Sequence, residues 1–102
     1  MAIQDVIKDQ VTKNRVVLYM KGSPDFPQCG FSANACNILR ACGVEDFYTV
    51  NVLEDAEIRQ GIKEFAKWPT IPQLYVNGEF VGGSDIMMEM YKSGELKKVL
   101  ES

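Results

Sequence analysis

The sequence predicts one α/β domain, residues 1–102, in which a four-stranded mixed sheet has helices on both faces. Three observations lead to this prediction. Segments with helical spacing of apolar residues alternate with short apolar runs. Between Arg15 and Val52, a strand, a helix and a second strand form a right-handed unit with parallel strands. Asn77-Gly78 then joins two further runs, and this dipeptide is the strongest short signal for an antiparallel hairpin.

The first half of the chain is predicted to begin with a helix and a strand. The helix, over about residues 2–13, ends at Asn14, and its apolar face has helical spacing: Ile3, Val6, Ile7 and Val11. The run Arg15–Met20 is nearly continuous in strand formers, which predicts a central strand buried on both faces. The second strand of the parallel pair is predicted near Phe47–Val52.

The second half is predicted to contain three helices and the hairpin. Asp55 can cap the third helix. Its inward residues are also at helical spacing: Ile58, Ile62, Phe65 and Ala66. Gln73–Val76 and Glu79–Val81 are the hairpin strands. A helix through Ile86–Tyr91 and a short helical piece from Glu95 to Leu100 complete the chain.

Composition excludes several classes of function. The net charge of −3 argues against a surface that binds nucleic acid, and no apolar run is long enough to cross a membrane. The first residues lack a basic start and an apolar signal core, and three cysteines do not form a disulfide framework. We therefore expect a reducing, cytoplasmic location. With no histidine in the chain, Cys–His catalysis and imidazole metal sites are excluded.

Cys29 is the strongest candidate for chemistry. It precedes a helix predicted from about Gly30 to Cys42 and ended by Gly43, whose inward face is formed by apolar residues: Phe31, Ala35, Ile38, Leu39 and Cys42. At a helix N-terminus, free N–H groups and the helix dipole favour a thiolate. The position three residues on, where a dithiol motif has its second cysteine, is Ser32.

Three cations and one turn are candidates for binding an anion. Lys21 ends the central strand, and Arg59 and Lys63 share a face of the third helix. From the residues alone, these side chains are either solvated charges or anion ligands. Ser84 and Asp85 follow two glycines, so this turn is either a plain turn with a helix cap or a place where backbone approaches a ligand.

Four motifs together resemble a known family. They are Cys-Gly-Phe-Ser at 29–32, Lys21 eight residues before the cysteine, Trp-Pro-Thr-Ile-Pro at 68–72 and Gly-Gly-Ser-Asp at 82–85. In this order and spacing they are similar to those of monothiol glutaredoxins of the CGFS type. The resemblance covers nearly the whole chain. It implies a thioredoxin-like fold, glutathione binding, an association with a [2Fe–2S] cluster and weak general thiol-transfer activity.

The resemblance also implies roles for individual residues near the thiol. Cys29 is then the redox thiol and the cluster ligand. Lys21, Arg59 and Lys63 hold the glycyl carboxylate of glutathione. From the residues alone, Pro72 would be an ordinary trans proline, but the resemblance implies a cis peptide bond.

Further along the chain, the resemblance implies that the backbone of Ile71 pairs with the cysteinyl part of glutathione. It also implies that Ser84 and Asp85 bind the γ-glutamyl end. The chain departs from many relatives at Ser84, where they have cysteine, so a role for a second thiol there is lost. The backbone N–H is unaffected by this difference, so glutathione binding is still expected.

The number of accessible thiols predicts how a cluster would be held. A [2Fe–2S] cluster needs four sulfur ligands. Cys36 is seven residues beyond Cys29, about 10 Å along a helix axis, and Cys42 is further still. We therefore expect a homodimer in which two Cys29 thiolates and two glutathione thiolates bind one cluster.

Two functions remain open at this point. One is a carrier that passes the cluster to apo iron–sulfur proteins, and the family implies a possible BolA-like partner. The alternative is a glutathione-dependent oxidoreductase in which the Cys29 thiolate attacks a glutathione mixed disulfide.

Overall fold

The computed structural model describes residues 2–101, so both ends of the predicted domain, residues 1 and 102, lie outside the described residues. Within this range the chain forms five helices and four strands: α1 (Ile3–Lys13), β1 (Val16–Met20), α2 (Gly30–Ala41), β2 (Tyr48–Asn51), α3 (Ala56–Ala66), β3 (Gln73–Val76), β4 (Glu79–Gly82), α4 (Ser84–Ser93) and α5 (Glu95–Glu101). Each predicted helix and strand is present, with boundaries within a few residues. None of these helices has the length and apolar character needed to cross a membrane.

The four strands form one mixed sheet in the order β2-β1-β3-β4. β1 pairs in parallel with β2, where Val17 lies opposite Tyr48, and antiparallel with β3, where Val17 lies opposite Tyr75. β3 and β4 form the predicted antiparallel hairpin. The sequence prediction of a four-stranded mixed sheet is therefore confirmed.

β1 supplies side chains to both hydrophobic cores because successive residues of a strand point to opposite faces. Leu18 and Met20 contribute to the core under α2, α4 and α5. Val17 and Tyr19 contribute to the core under α1 and α3. All five β1 residues are buried, as predicted for a central strand. The carboxyl end of this strand therefore lies between two packed layers.

The predicted helix ends at Asn14, Asp55 and Gly43 are confirmed, and the predicted cap of α4 is wrong. The Asp55 carboxylate caps α3 by accepting hydrogen bonds from the N–H groups of Glu57 and Ile58, at 3.0 and 3.2 Å. Gly43 follows α2 with φ +84°, a left-handed conformation that glycine adopts without steric cost. Neither Ser84 nor Asp85 caps α4, because its N-cap residue is Gly83 and no side chain caps this end.

The predicted inward face of α2 is wrong at its first turn. Phe31 is 63 % exposed, whereas the next residue, Ser32, is fully buried. The buried face therefore starts one residue later than the apolar pattern predicts, and Ala35, Ile38 and Leu39 continue it. The reason is a hydrogen bond from the Lys21 backbone to the Ser32 hydroxyl oxygen, which directs Ser32 inward and Phe31 outward.

Leu39→Ala is expected to lower the free energy of unfolding by about 2–5 kcal/mol, because it opens a cavity in the core under α2. Asn37→Ala is the matched control, since Asn37 is exposed on the same helix. Its effect should stay within about 0.5 kcal/mol. Urea denaturation followed by circular dichroism measures both. Equal effects for the two variants would contradict this description of the core.

Candidate functional site

Cys29 is the N-cap residue of α2. Its backbone is extended, with φ −156° and ψ 139°, and its carbonyl accepts the first helical hydrogen bond, from Ala33 N–H at 3.0 Å. The thiol is partly exposed. Apart from its chain neighbours and the backbone of its own helix, Gly30, the first residue of the helix, has no atom within 4 Å of the position of a Cβ. The sulfur therefore lies at the predicted helix N-terminus and is open on the Gly30 side.

The surroundings of Cys29 favour the thiolate. Partial burial acts to raise the pKa of the thiol, but hydrogen bonds and charge outweigh it. The hydrogen bonds come from the backbone N–H groups of Ser32 and Phe31 and from the Ser32 hydroxyl, and the positive charge of Lys21 adds to them. The pKa therefore lies below the ordinary value of a cysteine. Near neutral pH, the ionised fraction of the Cys29 thiol is therefore larger than that of an ordinary cysteine thiol.

Ser32 connects the thiolate to the central strand. Its hydroxyl oxygen accepts a hydrogen bond from the Lys21 backbone N–H at 3.0 Å. Since a hydroxyl has one hydrogen and two lone pairs, accepting this bond leaves its hydrogen free to donate to the Cys29 sulfur. The serine at the position of a second cysteine is thus a buried donor to the thiolate. From the sequence, the only prediction for position 32 was that it lacks a second thiol.

The loop between β1 and Cys29 is held by backbone contacts. Gln28 N–H donates to the Lys21 carbonyl at 2.9 Å, and Gly22 N–H donates to Asn51 Oδ1 at 3.0 Å. Gly22 has φ +90°, and a Cβ there would lie 2.5 Å from the Phe26 carbonyl oxygen. This position therefore requires glycine, and the loop approaches Cys29 along a fixed path.

A cleft of about 370 Å³ lies beside the N-terminus of α2. Phe31 on α2 and Lys21, directly after β1, connect its wall to Cys29, which does not itself line the cleft. Each of the other residues predicted to bind glutathione lines it: Lys21, Arg59, Lys63, Ile71, Pro72, Ser84 and Asp85. The structure therefore brings together residues from the end of β1 to α4 that lie far apart in the chain.

One end of the cleft is cationic. Lys21 extends from the end of β1, and Arg59 and Lys63 lie one turn apart on α3. In residues 2–101, the ion pairs involve other side chains, Lys13 with Asp9 and Arg40 with Asp25. No carboxylate of the described chain therefore neutralises these three cations within ion-pair distance. This arrangement favours an anionic group at this end of the cleft.

The other end of the cleft is the N-terminus of α4. Because its N-cap is Gly83, no side chain occupies the first N–H groups of the helix, and these groups favour an anion. A Cβ on Gly83 would lie 3.2 Å from the Pro72 carbonyl oxygen and 3.6 Å from Trp68 Nε1. Ser84 is nearly buried, and its hydroxyl oxygen accepts a hydrogen bond from Asn34 Nδ2 at 3.1 Å.

The wall between the two ends is the segment before β3. The Ile71–Pro72 peptide is cis, as the family resemblance implied. Gln73, which is fully buried, donates from Nε2 to the carbonyls of Trp68 and Thr70 at 3.1 and 3.2 Å, and its Oε1 accepts from the Tyr75 hydroxyl at 2.9 Å. Gln73 thus fixes the shape of this wall. From its place in a predicted strand, no role for Gln73 was predicted.

Trp68 has an unpaired polar atom in the same wall. Its indole Nε1 is buried and has no hydrogen-bond partner in the described part of the chain. The ring packs against Phe80, with centroids 5.6 Å apart, and Trp68 lines the cleft. A buried donor without an acceptor is costly, so this atom favours a polar group from a bound molecule nearby.

The other two cysteines are placed differently. Cys36 is fully buried with its sulfur 3.6 Å from Met20 Sδ, and burial raises the pKa of its thiol. Cys42 lies at the opposite end of α2 from Cys29, and burial also raises the pKa of its thiol. Of the three thiols, Cys29 is therefore the reactive one.

Comparison with known proteins identifies the family. Residues 16–81 match the family model described as Glutaredoxin. The chain belongs to the glutaredoxin family. The glutaredoxin resemblance drawn from the sequence motifs is confirmed. A monothiol glutaredoxin of Synechocystis, described as uncharacterized and ycf64-like, is 61 % identical over 95 residues, which are 93 % of this chain and 88 % of that protein.

Solved structures agree with this assignment. Reduced apo GrxS14 of poplar is 50 % identical, with a TM-score of 0.86 over 99 % of this chain and 95 % of that one. A buckwheat glutaredoxin solved as a glutathione complex is 20 % identical, with a TM-score of 0.84 over 97 % of this chain and 87 % of that one. At that identity the likeness concerns the fold alone. The thioredoxin-like fold implied by the resemblance is confirmed.

Ser32→Ala is expected to raise the pKa of Cys29, because it removes the hydroxyl that donates to the thiolate. A thiol reacts with iodoacetamide as its thiolate, so the rate rises as pH rises through the pKa. In the wild type the midpoint should lie below that of an ordinary cysteine, and Ser32→Ala should move it upward. Ser93→Ala, far from the thiol, is the control. Mass spectrometry of the Cys29 peptide measures the rate, and an unchanged midpoint would contradict the role of Ser32.

Proposed function

We propose that this glutaredoxin binds glutathione in the cleft and, as a homodimer, ligates a [2Fe–2S] cluster with Cys29 and glutathione, then transfers the cluster to acceptor proteins. The observation that carries the proposal is one thiol of lowered pKa beside a cleft whose two ends both favour anions. Glutathione has a carboxylate at each end and a thiol in the middle. Its chemistry matches this arrangement.

The residues of the cleft fit glutathione along its length. Lys21, Arg59 and Lys63 would hold the glycyl carboxylate. The open N-terminus of α4 would hold the γ-glutamyl carboxylate, and the carboxylate of Asp85 would attract the α-amine beside it.

The middle of the cleft suits the extended part of a tripeptide. The β1–β3 ladder begins at the pair Tyr19 and Gln73, so Ile71 precedes it. Its backbone is then available to pair with an extended peptide. The unpaired Trp68 N–H is a further donor in the same wall. The buckwheat glutaredoxin, which has the same fold, was solved with glutathione bound, and this analogy supports the proposal.

Cluster ligands must come from more than one molecule under this proposal. Within residues 2–101, no group of three or more cysteine or acidic side chains is placed to hold a metal ion. A [2Fe–2S] cluster requires four sulfur ligands. Two Cys29 thiolates and two glutathione thiolates supply them when two chains meet across the cluster.

Glutathione as a ligand also suits transfer, because it dissociates without unfolding the protein. The acceptors are apo iron–sulfur proteins under this proposal. A BolA-like partner and a cytoplasmic location stay predictions from the family resemblance and the sequence.

The lowered pKa of Cys29 also supports the oxidoreductase alternative. In that reaction the Cys29 thiolate attacks the glutathione sulfur of a mixed disulfide and releases the substrate thiolate. A second glutathione thiolate then attacks the glutathione sulfur on Cys29. The products are glutathione disulfide and the regenerated Cys29 thiolate, so sulfur and electrons balance.

Anaerobic reconstitution with iron, sulfide and glutathione is expected to give a coloured dimer with about one glutathione, one iron and one sulfide per chain, which follows from four thiolates on one cluster. Visible absorption, size-exclusion chromatography and quantified glutathione measure this. The holo dimer should pass its cluster to an apo-ferredoxin. A colourless protein with high turnover on a glutathionylated peptide would instead favour the oxidoreductase.

Two cysteine variants test which thiol is the ligand. Cys29→Ser should abolish the visible spectrum and leave the fold intact, because Cys29 is partly exposed. Cys36→Ala is the matched control, and it should load normally at a modest cost in stability, since Cys36 is a core side chain. A cluster retained by Cys29→Ser, or lost from a folded Cys36→Ala, would show that the ligand assignment is wrong.

A further inference from the structure

A hydrogen bond joins the helix of the thiolate to the far end of the cleft. Asn34 on α2 donates from Nδ2 to the hydroxyl oxygen of Ser84, the first residue of α4, at 3.1 Å. The two residues are 50 positions apart in the chain. Ser84 is 6 % exposed and lines the cleft. Asn34 lies five residues after Cys29, on the same rigid helix.

This bond fixes which way the Ser84 hydroxyl can donate. The oxygen has one hydrogen and two lone pairs, and Asn34 uses a lone pair, so the hydrogen remains. A serine inside a helix often donates it to the carbonyl four residues earlier. Here that residue is Phe80, on β4 and outside the helix. Within residues 2–101, the one hydrogen bond of the Ser84 hydroxyl is the bond from Asn34, so its hydrogen is available to a molecule in the cleft.

We propose that Asn34 is a positioning residue that holds the Ser84 hydroxyl as a donor toward the cleft, and so sets a preference for ligands with a carboxylate at the N-terminus of α4. This inference rests on the proposed binding of glutathione. Asp85 is next to Ser84, and its carboxylate repels an anion. A fixed donor beside it raises selectivity for a ligand group that is anionic and close to an amine, as in a γ-glutamyl residue.

The position of Asn34 adds a second consequence. Cys29 is the N-cap of α2, and Asn34 lies about 1.4 turns later on the same helix. α2 thus positions the Cys29 thiolate directly and, through Asn34, the Ser84 hydroxyl that would donate to the other end of the ligand. Any shift of α2 relative to α4 changes both contacts together.

Binding of two tripeptides to the full-length reduced protein tests the proposal. The probes are glutathione and 4-aminobutanoyl-cysteinyl-glycine, which lacks only the γ-glutamyl carboxylate. NMR chemical-shift titration gives each Kd. Ser84→Ala should weaken glutathione binding by about tenfold and Asn34→Ala by about fivefold, since the lost bond is to a charged group. Binding of the analogue should change less than about twofold.

The double variant and a polarity reversal complete the test. Asn34→Ala with Ser84→Ala should bind glutathione as weakly as Ser84→Ala alone, because Asn34 acts through Ser84. Asn34→Asp should bind more weakly than Asn34→Ala, because a carboxylate only accepts hydrogen bonds and would take the Ser84 hydrogen.

Several results would overturn the inference. If Asn34→Ala weakens the binding of both tripeptides equally, Asn34 supports the fold by packing and does not position the Ser84 donor. If the fold losses in glutathione affinity of the two single variants multiply in the double variant, the two residues act independently. If Asn34→Asp binds glutathione with wild-type affinity, Ser84 donates its hydrogen to residue 34 rather than to the ligand. A wild type that binds neither tripeptide would overturn the glutathione proposal and this inference with it.

Discussion

The hydrogen bond from the Lys21 backbone N–H to the Ser32 hydroxyl, 3.0 Å long, joins the end of the central strand to the first turn of α2. This contact turns Ser32 into the core and leaves its hydrogen for the Cys29 sulfur. It also keeps the Lys21 ammonium near the thiolate. This bond fixes the relative positions of the N-terminus of α2, the Ser32 hydroxyl and the Lys21 ammonium. All three therefore stabilise the same Cys29 thiolate.

The rest of the fold positions the cleft around that point. β1 is buried on both faces and packs into both cores, so its carboxyl end is held in place from both sides of the sheet. The cleft is built where the ends of β1, α2 and α4 meet the segment before β3. Buried polar groups complete it: Gln73 fixes the wall, and Asn34 fixes Ser84. The helices carry Arg59, Lys63, Ser84 and Asp85, and the segment before β3 supplies the rest of the wall, with its shape fixed by Gln73.

The sequence predicted the parts of this structure that depend on periodicity. Each helix and strand, the sheet pairing and the place of Cys29 at a helix start follow from apolar spacing and turn residues. The outward position of Phe31 was not predicted, because the hydrogen bond between Lys21 and Ser32, which lie in different segments, decides it. The uncapped start of α4 was not predicted either, because the helix begins at Ser84 and its N-cap is Gly83, which has no side chain. The role of Gln73 was missed for a different reason. Its side-chain amide donates to the backbone carbonyls of Trp68 and Thr70, and every residue has such a carbonyl, so the amino-acid pattern gives no signal for these contacts.

The burial of Cys36 against Met20 has a consequence for oxidative stress. When peroxide converts Cys29 to a sulfenic acid, the molecule has no internal thiol in reach to condense with it, since the nearest candidate is sealed in the core. Repair then depends on a thiol from outside. The lifetime of the damaged form is consequently set by the abundance of small thiols in the surrounding medium rather than by the protein.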